Sequence, residues 1–125
     1  MAKTERRPRT MRLPKAIEAV VRAAEDIVVL DLRKAAGFTD YFVICSGHNA
    51  RQIHAISDAI TDALAGHGSK PAHVEGYDRS EWVLLDYFDF VVHVFTPETR
   101  AFYGLERLWG NAETVNVASV RRANV

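Results

Sequence analysis

Apolar residues recur along this chain with a helical period in three stretches and in strand-like runs between them, and the changes of pattern mark out its elements. Pro14 suits the start of the first helix, because its missing amide would be unpaired in a first turn anyway, and Ile17, Val20, Val21 and Ala24 follow at helical spacing. Residues 27–32 form a β-branched, apolar run of strand length, and residues 33–37 carry the charges and glycine of a turn. Residues 40–46 make the second strand. Both runs are almost wholly apolar, which predicts burial on both faces and a central place in a sheet. Ser46, Gly47, His48 and Asn49 break the second strand, and Asn49 with Gln52 three positions later has the spacing of a capping box. Ile53, Ile56, Ile60, Ala63 and Leu64 then line one helix face opposite Asp58, Thr61 and Asp62, and Gly66 and Gly68 supply the stop.

After a short segment over 71–75 come two strands, 81–86 and 89–95. Thr96, Pro97 and Glu98 then open a last helix with a cap, a first-turn proline and a carboxylate at the positive dipole end. Its apolar arc is Ala101, Phe102, Leu105, Leu108 and Trp109, and Gly110 ends it. The tail from Glu113 has no strong pattern. This order of elements predicts an α/β or α+β single domain with helices on at least one face of its sheet. The folded part is expected over 14–110, between a basic N-terminal extension (1–13) and a C-terminal tail (111–125).

The segment 75–109 holds nine of the chain's twelve aromatic residues. With Tyr87 and Phe88 as a two-residue turn, Asp86 opposes Asp89, Leu84 opposes Val91 and Trp82 opposes His93. Alternation then assigns Val83, Leu85, Phe90, Val92 and Val94 to an apolar face that packs under helices. The opposite face holds Trp82, Leu84, Asp86, Asp89, Val91, His93 and Phe95. Aromatic anchors beside charges suit the core of an interface, whereas a second buried core would have to pair three ionisable groups. The turn strains this register, because a tight hairpin prefers asparagine or glycine and opposed carboxylates repel.

At 125 residues and 14.0 kDa the chain suits one domain that needs neither metal nor disulfide to fold. No apolar run approaches the roughly 18 residues of a membrane span, and the charged start lacks the apolar segment of a secretory signal. A cytoplasmic location is expected. Zero net charge hides an asymmetry: residues 1–15 carry Lys3, Arg6, Arg7, Arg9, Arg12 and Lys15 against Glu5, and Arg121 and Arg122 mark the other end. Subtraction from 16 basic and 16 acidic residues leaves eight basic and fifteen acidic over 16–120, so the body stands near minus seven. A basic tail of this kind can touch RNA phosphates, although a solvated terminus is its commoner meaning.

Signals for catalysis are weak. Ser46 and Gly47 between a strand and a helix could offer amides to a phosphate, and Asp86 with Asp89 could hold a metal, but the glycines and lysine of a phosphate loop are missing. His48, His54, His67, His73 and His93 have no zinc spacing, and the lone Cys45 reads as a small buried hydrophobe. The expectation is a protein without catalytic residues, metal or cofactor. A nucleotidyltransferase-like enzyme that binds nucleotide and a divalent metal is the competing class.

Asp31, the run Thr39 to Phe42, Ser46-Gly47, Arg51-Gln52, Glu75-Gly76, Glu81-Trp82, Leu85-Asp86, the run Val92 to Phe95, Arg100, Phe102-Tyr103, Leu105-Glu106 and Leu108-Trp109 together resemble the ribosomal silencing factor (Iojap-like) family, in order over about 14–110. The resemblance implies a mixed β-sheet of about five strands flanked by helices, with a nucleotidyltransferase-like topology that lacks the catalytic carboxylates. It implies binding to ribosomal protein L14 of the large subunit, steric exclusion of the small subunit, and repression of translation when nutrients are scarce. Carried onto this chain, the contact residues are Trp82, Leu84, Asp86, His93 and Phe95, followed by Arg100 and Tyr103. Phe88 stands where the family usually has glycine, and it would add an apolar contact at the hairpin tip. The residues leave open a homodimer of the free protein and contact of the basic tail with ribosomal RNA.

Overall fold

The structure, a computed structural model, describes residues 14–24 and 26–118. The basic extension and the pair Arg121 and Arg122 lie outside the described residues. The elements are α1 (Lys15–Ala23), β1 (Val28–Asp31), β2 (Tyr41–Ser46), α2 (Ala50–Gly66), β3 (His73–Glu75), β4 (Trp82–Asp86), β5 (Phe90–Phe95), α3 (Pro97–Tyr103), α4 (Leu105–Leu108) and β6 (Glu113–Val115). Among the described residues six strands form one mixed sheet in the order β3-β4-β5-β2-β1-β6. Only β2 and β5 run parallel, and the other neighbours are antiparallel. The expected central strand β2 is buried over Tyr41 to Cys45. Among the described residues no helix is long and apolar enough to cross a membrane.

The two faces of the sheet are covered unequally. Ile17, Val20 and Val21 of α1 and Ile53, Ile60 and Leu64 of α2 pack on Val29, Val43, Cys45, Val83, Leu85, Val92 and Val94 in one cluster. Each of these side chains contributes about 1.5–3 kcal/mol by leaving water. On the opposite face the buried apolar members among the described residues are Leu30, Leu32, Phe42, Ile44, Val91 and Phe95, with Leu105 and Trp109 over them and Trp82 and Leu84 at the margin. That second layer is thin, so it leaves the outer side of β4 in reach of solvent.

The hairpin register differs from the tight turn expected from the sequence. Asp86 pairs with Val91, Leu84 with His93 and Trp82 with Phe95, which shifts the pairing by two residues. Asp86 therefore does not face Asp89. The longer turn is closed by Tyr87 N–H to Phe90 O at 2.9 Å, by Phe88 N–H to Asp86 Oδ1 at 2.8 Å, and by Thr39 Oγ1 to Phe88 O at 2.8 Å. An even shift preserves the side-chain faces, so the division into an inner and an outer set stands.

Two further expectations change. The last helix is interrupted at Gly104, which adopts φ 55° and ψ 44° and separates α3 from the single turn of α4. A left-handed residue redirects the chain, so the expected arc divides: Leu105 and Trp109 pack on the sheet, while Phe102 and Leu108 are 77% and 69% exposed. The tail without a strong pattern adds the sixth strand, because β6 pairs with β1 through Val115 opposite Val29. Only three residues long and largely exposed, it has too little apolar alternation to announce itself.

Backbone conformation yields two predictions. Phe88 has φ 72° while its side chain is 72% exposed, so Phe88→Gly should stabilise the fold by about 1 kcal/mol, measured by urea denaturation. Gly76 has φ 79°, and a Cβ there would lie 2.1 Å from the Trp82 carbonyl oxygen. Gly76→Ala should therefore cost roughly 3 kcal/mol or more, seen as a large fall in melting temperature.

Candidate functional site

Alternation along β4 turns Trp82, Leu84 and Asp86 to the thinly covered side, and all three are half-buried. Trp82 anchors the strip. Its ring lies 5.0 Å from Phe95 and 4.6 Å from Tyr103 of α3, and its Nε1–H donates to His93 Nδ1 at 3.0 Å. Tyr103 in turn meets Phe102 edge-on at 5.0 Å. The other end of the strip runs through Asp86, whose carboxylate holds the Phe88 amide, to the exposed Phe88 at the tip.

Two predicted contact residues lie beneath this surface. Phe95 is fully buried and His93 almost so, enclosed by Phe42 at 4.5 Å and by the stacked ring of Phe95 at 5.9 Å. They support the strip from below: Phe42 packs on His93, and Phe38 and Trp109 in turn pack against Phe42. Arg100 is also engaged within the chain: its guanidinium donates to Asp26 O, Ser46 Oγ and both carboxylate oxygens of Glu106 at 2.7–3.1 Å. It ties α3 to β2 and α4. Phe38 was not singled out by pattern, yet it is 61% exposed and lies 6.0 Å from Trp109. An aromatic residue next to a turn glycine was the available signal.

The geometry around Ser46 and Gly47 leaves little for a phosphate. Gly47 N–H bonds Phe95 O at 2.9 Å, His48 N–H bonds Gln52 Oε1 at 2.6 Å, and Gln52 N–H bonds Asn49 Oδ1 at 2.8 Å. The capping residues read from the sequence thus take up the His48 and Gln52 amides, two of those that an anion there would use. Gly47 serves close packing, since a Cβ would lie 3.0 Å from Ile53 Cδ1 and 3.1 Å from its amide nitrogen. Cys45 is buried, and burial pushes its thiol up to about 12, far from a reactive thiolate. Among the described residues no three His, Cys, Asp or Glu side chains converge on a metal position.

His93 is the electrostatic oddity of the site. Burial pushes its pKa down to about 3, and Nε2 has no hydrogen-bond partner. Such an orphan costs about 1–3 kcal/mol. Because the folded value lies below the unfolded 6.5, the unfolded chain takes up the proton first; the stability that this group contributes is complete above about pH 6.5 and is lost as pH falls toward about 3. Wild type should lose about 1 kcal/mol per pH unit more across that window than His93→Asn, measured by urea denaturation at several pH values.

The family described as ribosomal silencing factor during starvation matches residues 7–125. A ribosomal silencing factor of Bacillus subtilis is 43% identical over 91 residues, covering 73% of this chain and 77% of the relative. A mouse protein named for mitochondrial assembly of the ribosomal large subunit is 36% identical over 89 residues, which cover 69% of this chain and 39% of that protein. A crystal structure from Chromobacterium violaceum is similar with a TM-score of 0.75 at 30% identity, over 80% of this chain and 88% of the other.

Proposed function

This chain belongs to the ribosomal silencing factor family, and we propose that it binds the large ribosomal subunit in the cytoplasm through ribosomal protein L14, where its bulk keeps the small subunit from joining. The role is binding rather than catalysis, and it lowers translation under nutrient limitation. The observation that carries this reading is the outer strip of β4. Trp82, Leu84 and Asp86 face the uncovered side, flanked by the exposed rings of Phe88 and Tyr103. Aromatic anchors around an acid, with a hydrogen bond already fixing the indole, have the make-up of an interface core with a polar edge. The name of the mouse relative ties that protein to the large subunit, which supports the choice of subunit. His93 and Phe95 act from beneath, and Arg100 acts by holding α3 in place under Tyr103.

Steric exclusion needs only occupancy, so affinity is the quantity to measure. Purified protein should cosediment with purified large subunits and reduce their reassociation with small subunits in a gradient. Failure on both counts sinks the reading. Within it, Trp82→Ala should weaken binding by about 2 kcal/mol or more, as hot-spot tryptophans do. Unaltered affinity in a variant with wild-type circular dichroism would remove Trp82 from the interface.

A further inference from the structure

Position 93 lies among aromatic rings, with Phe42 nearly perpendicular at 4.5 Å, Phe95 stacked at 5.9 Å and Trp82 tilted at 5.9 Å. An apolar side chain of similar size would fill this space and remove the unpaired Nε2, at the loss of the acceptor for the Trp82 indole N–H. That Nε2, taken by itself, works against stability, since it finds no partner. What it supplies, and leucine cannot, is an acceptor for the Trp82 indole at 3.0 Å. The indole N–H is a donor only, so the bond requires a neutral imidazole with its own proton on Nε2. The buried surroundings maintain that state by disfavouring the charged ring.

We infer that His93 is a positioning residue for Trp82: it fixes the indole in the orientation offered to the partner, at the expense of an unpaired buried nitrogen. This rests on the proposed interface. Without the acceptor, the half-buried indole keeps only its ring contacts with Phe95 and Tyr103, which tolerate rotation and sliding. Ordering a side chain before binding lowers the entropy lost on binding, so the benefit falls on affinity and the cost on the free fold.

The test separates these two quantities. His93→Leu should bind purified large subunits about fivefold more weakly while melting close to the wild-type temperature, because removal of the unpaired Nε2 offsets the lost indole bond. His93→Asn returns an oxygen at about the place of Nδ1, so it should recover binding to within about twofold even though its smaller side chain lowers the melting temperature. In a Trp82→Ala background, His93→Leu should cause no further loss of binding, because the two residues act as one unit. Wild-type binding by His93→Leu alongside weakened Trp82→Ala, or losses that simply add, would overturn the positioning role and leave the interface in place. Wild-type binding by both single variants would overturn the interface and this role together.

Discussion

A parallel pair of strands at the centre of a sheet needs cover on both faces, and β2 against β5 is that pair here. The chain meets the demand unevenly. One face receives the two longer helices, α1 and α2, whose aliphatic stripes complete a continuous core. The other receives the chain that follows β5, which returns across the sheet only after the left-handed turn at Gly104 and sets Leu105 and Trp109 over Phe42 and Phe95. That path covers the central strands and reaches β4 only where Tyr103 meets Trp82. The exposure of Trp82, Leu84 and Asp86 is thus a consequence of where the last helix breaks, as much as of their own alternation.

Much of this could be read from the chain because it depends on local periodicity. The capping box at Asn49, the Thr96 cap, the buried β2 strand and the inner face of the hairpin all follow from spacing or alternation, and each stands in the structure. The faces survived a wrong hairpin register because the slip was by two residues, and side-chain direction has a period of two. Features that depend on a distant partner were not legible. Strand β6 exists because β1 offers it an edge, and nothing in Glu113, Thr114 and Val115 themselves calls for pairing. The apolar arc over Ala101 to Trp109 looked continuous because periodicity carries no mark of a left-handed glycine. Alternation placed His93 and Phe95 on the outer face correctly, yet burial depends on what Phe38, Phe42 and Trp109 do from elsewhere in the chain.

The site joins the fold through side chains with two tasks. Tyr103 closes on Trp82 and remains half open to solvent, and Arg100 secures the helix that carries Tyr103 to Ser46, Asp26 and Glu106. Asp86 likewise holds the Phe88 amide while standing in the strip itself. Arg100 and Asp86 are thereby each fixed by bonds inside the chain. On the proposed reading, a surface held in this way would change shape little on binding, and a partner would meet nearly what the free protein presents.

Two local costs then fall on this side of the molecule. Phe88 occupies a left-handed conformation that glycine would adopt freely, and it does so with its ring largely in water. His93 keeps a buried nitrogen unpaired among aromatic rings. Neither is explained by packing, because glycine at the tip would relax the backbone and an apolar residue beneath the strip would remove the unpaired nitrogen. They are explained together if the outer face of the hairpin works in a complex, where the ring of Phe88 gains a surface to cover it and the fixed indole of Trp82 meets its partner without a further loss of freedom. On the proposed reading, stability is given up where recognition gains; the inner cluster carries an orphan of its own in the buried Tyr87 hydroxyl, so it is the left-handed Phe88 and the bond from His93 to Trp82, more than an unpaired atom alone, that mark the outer face.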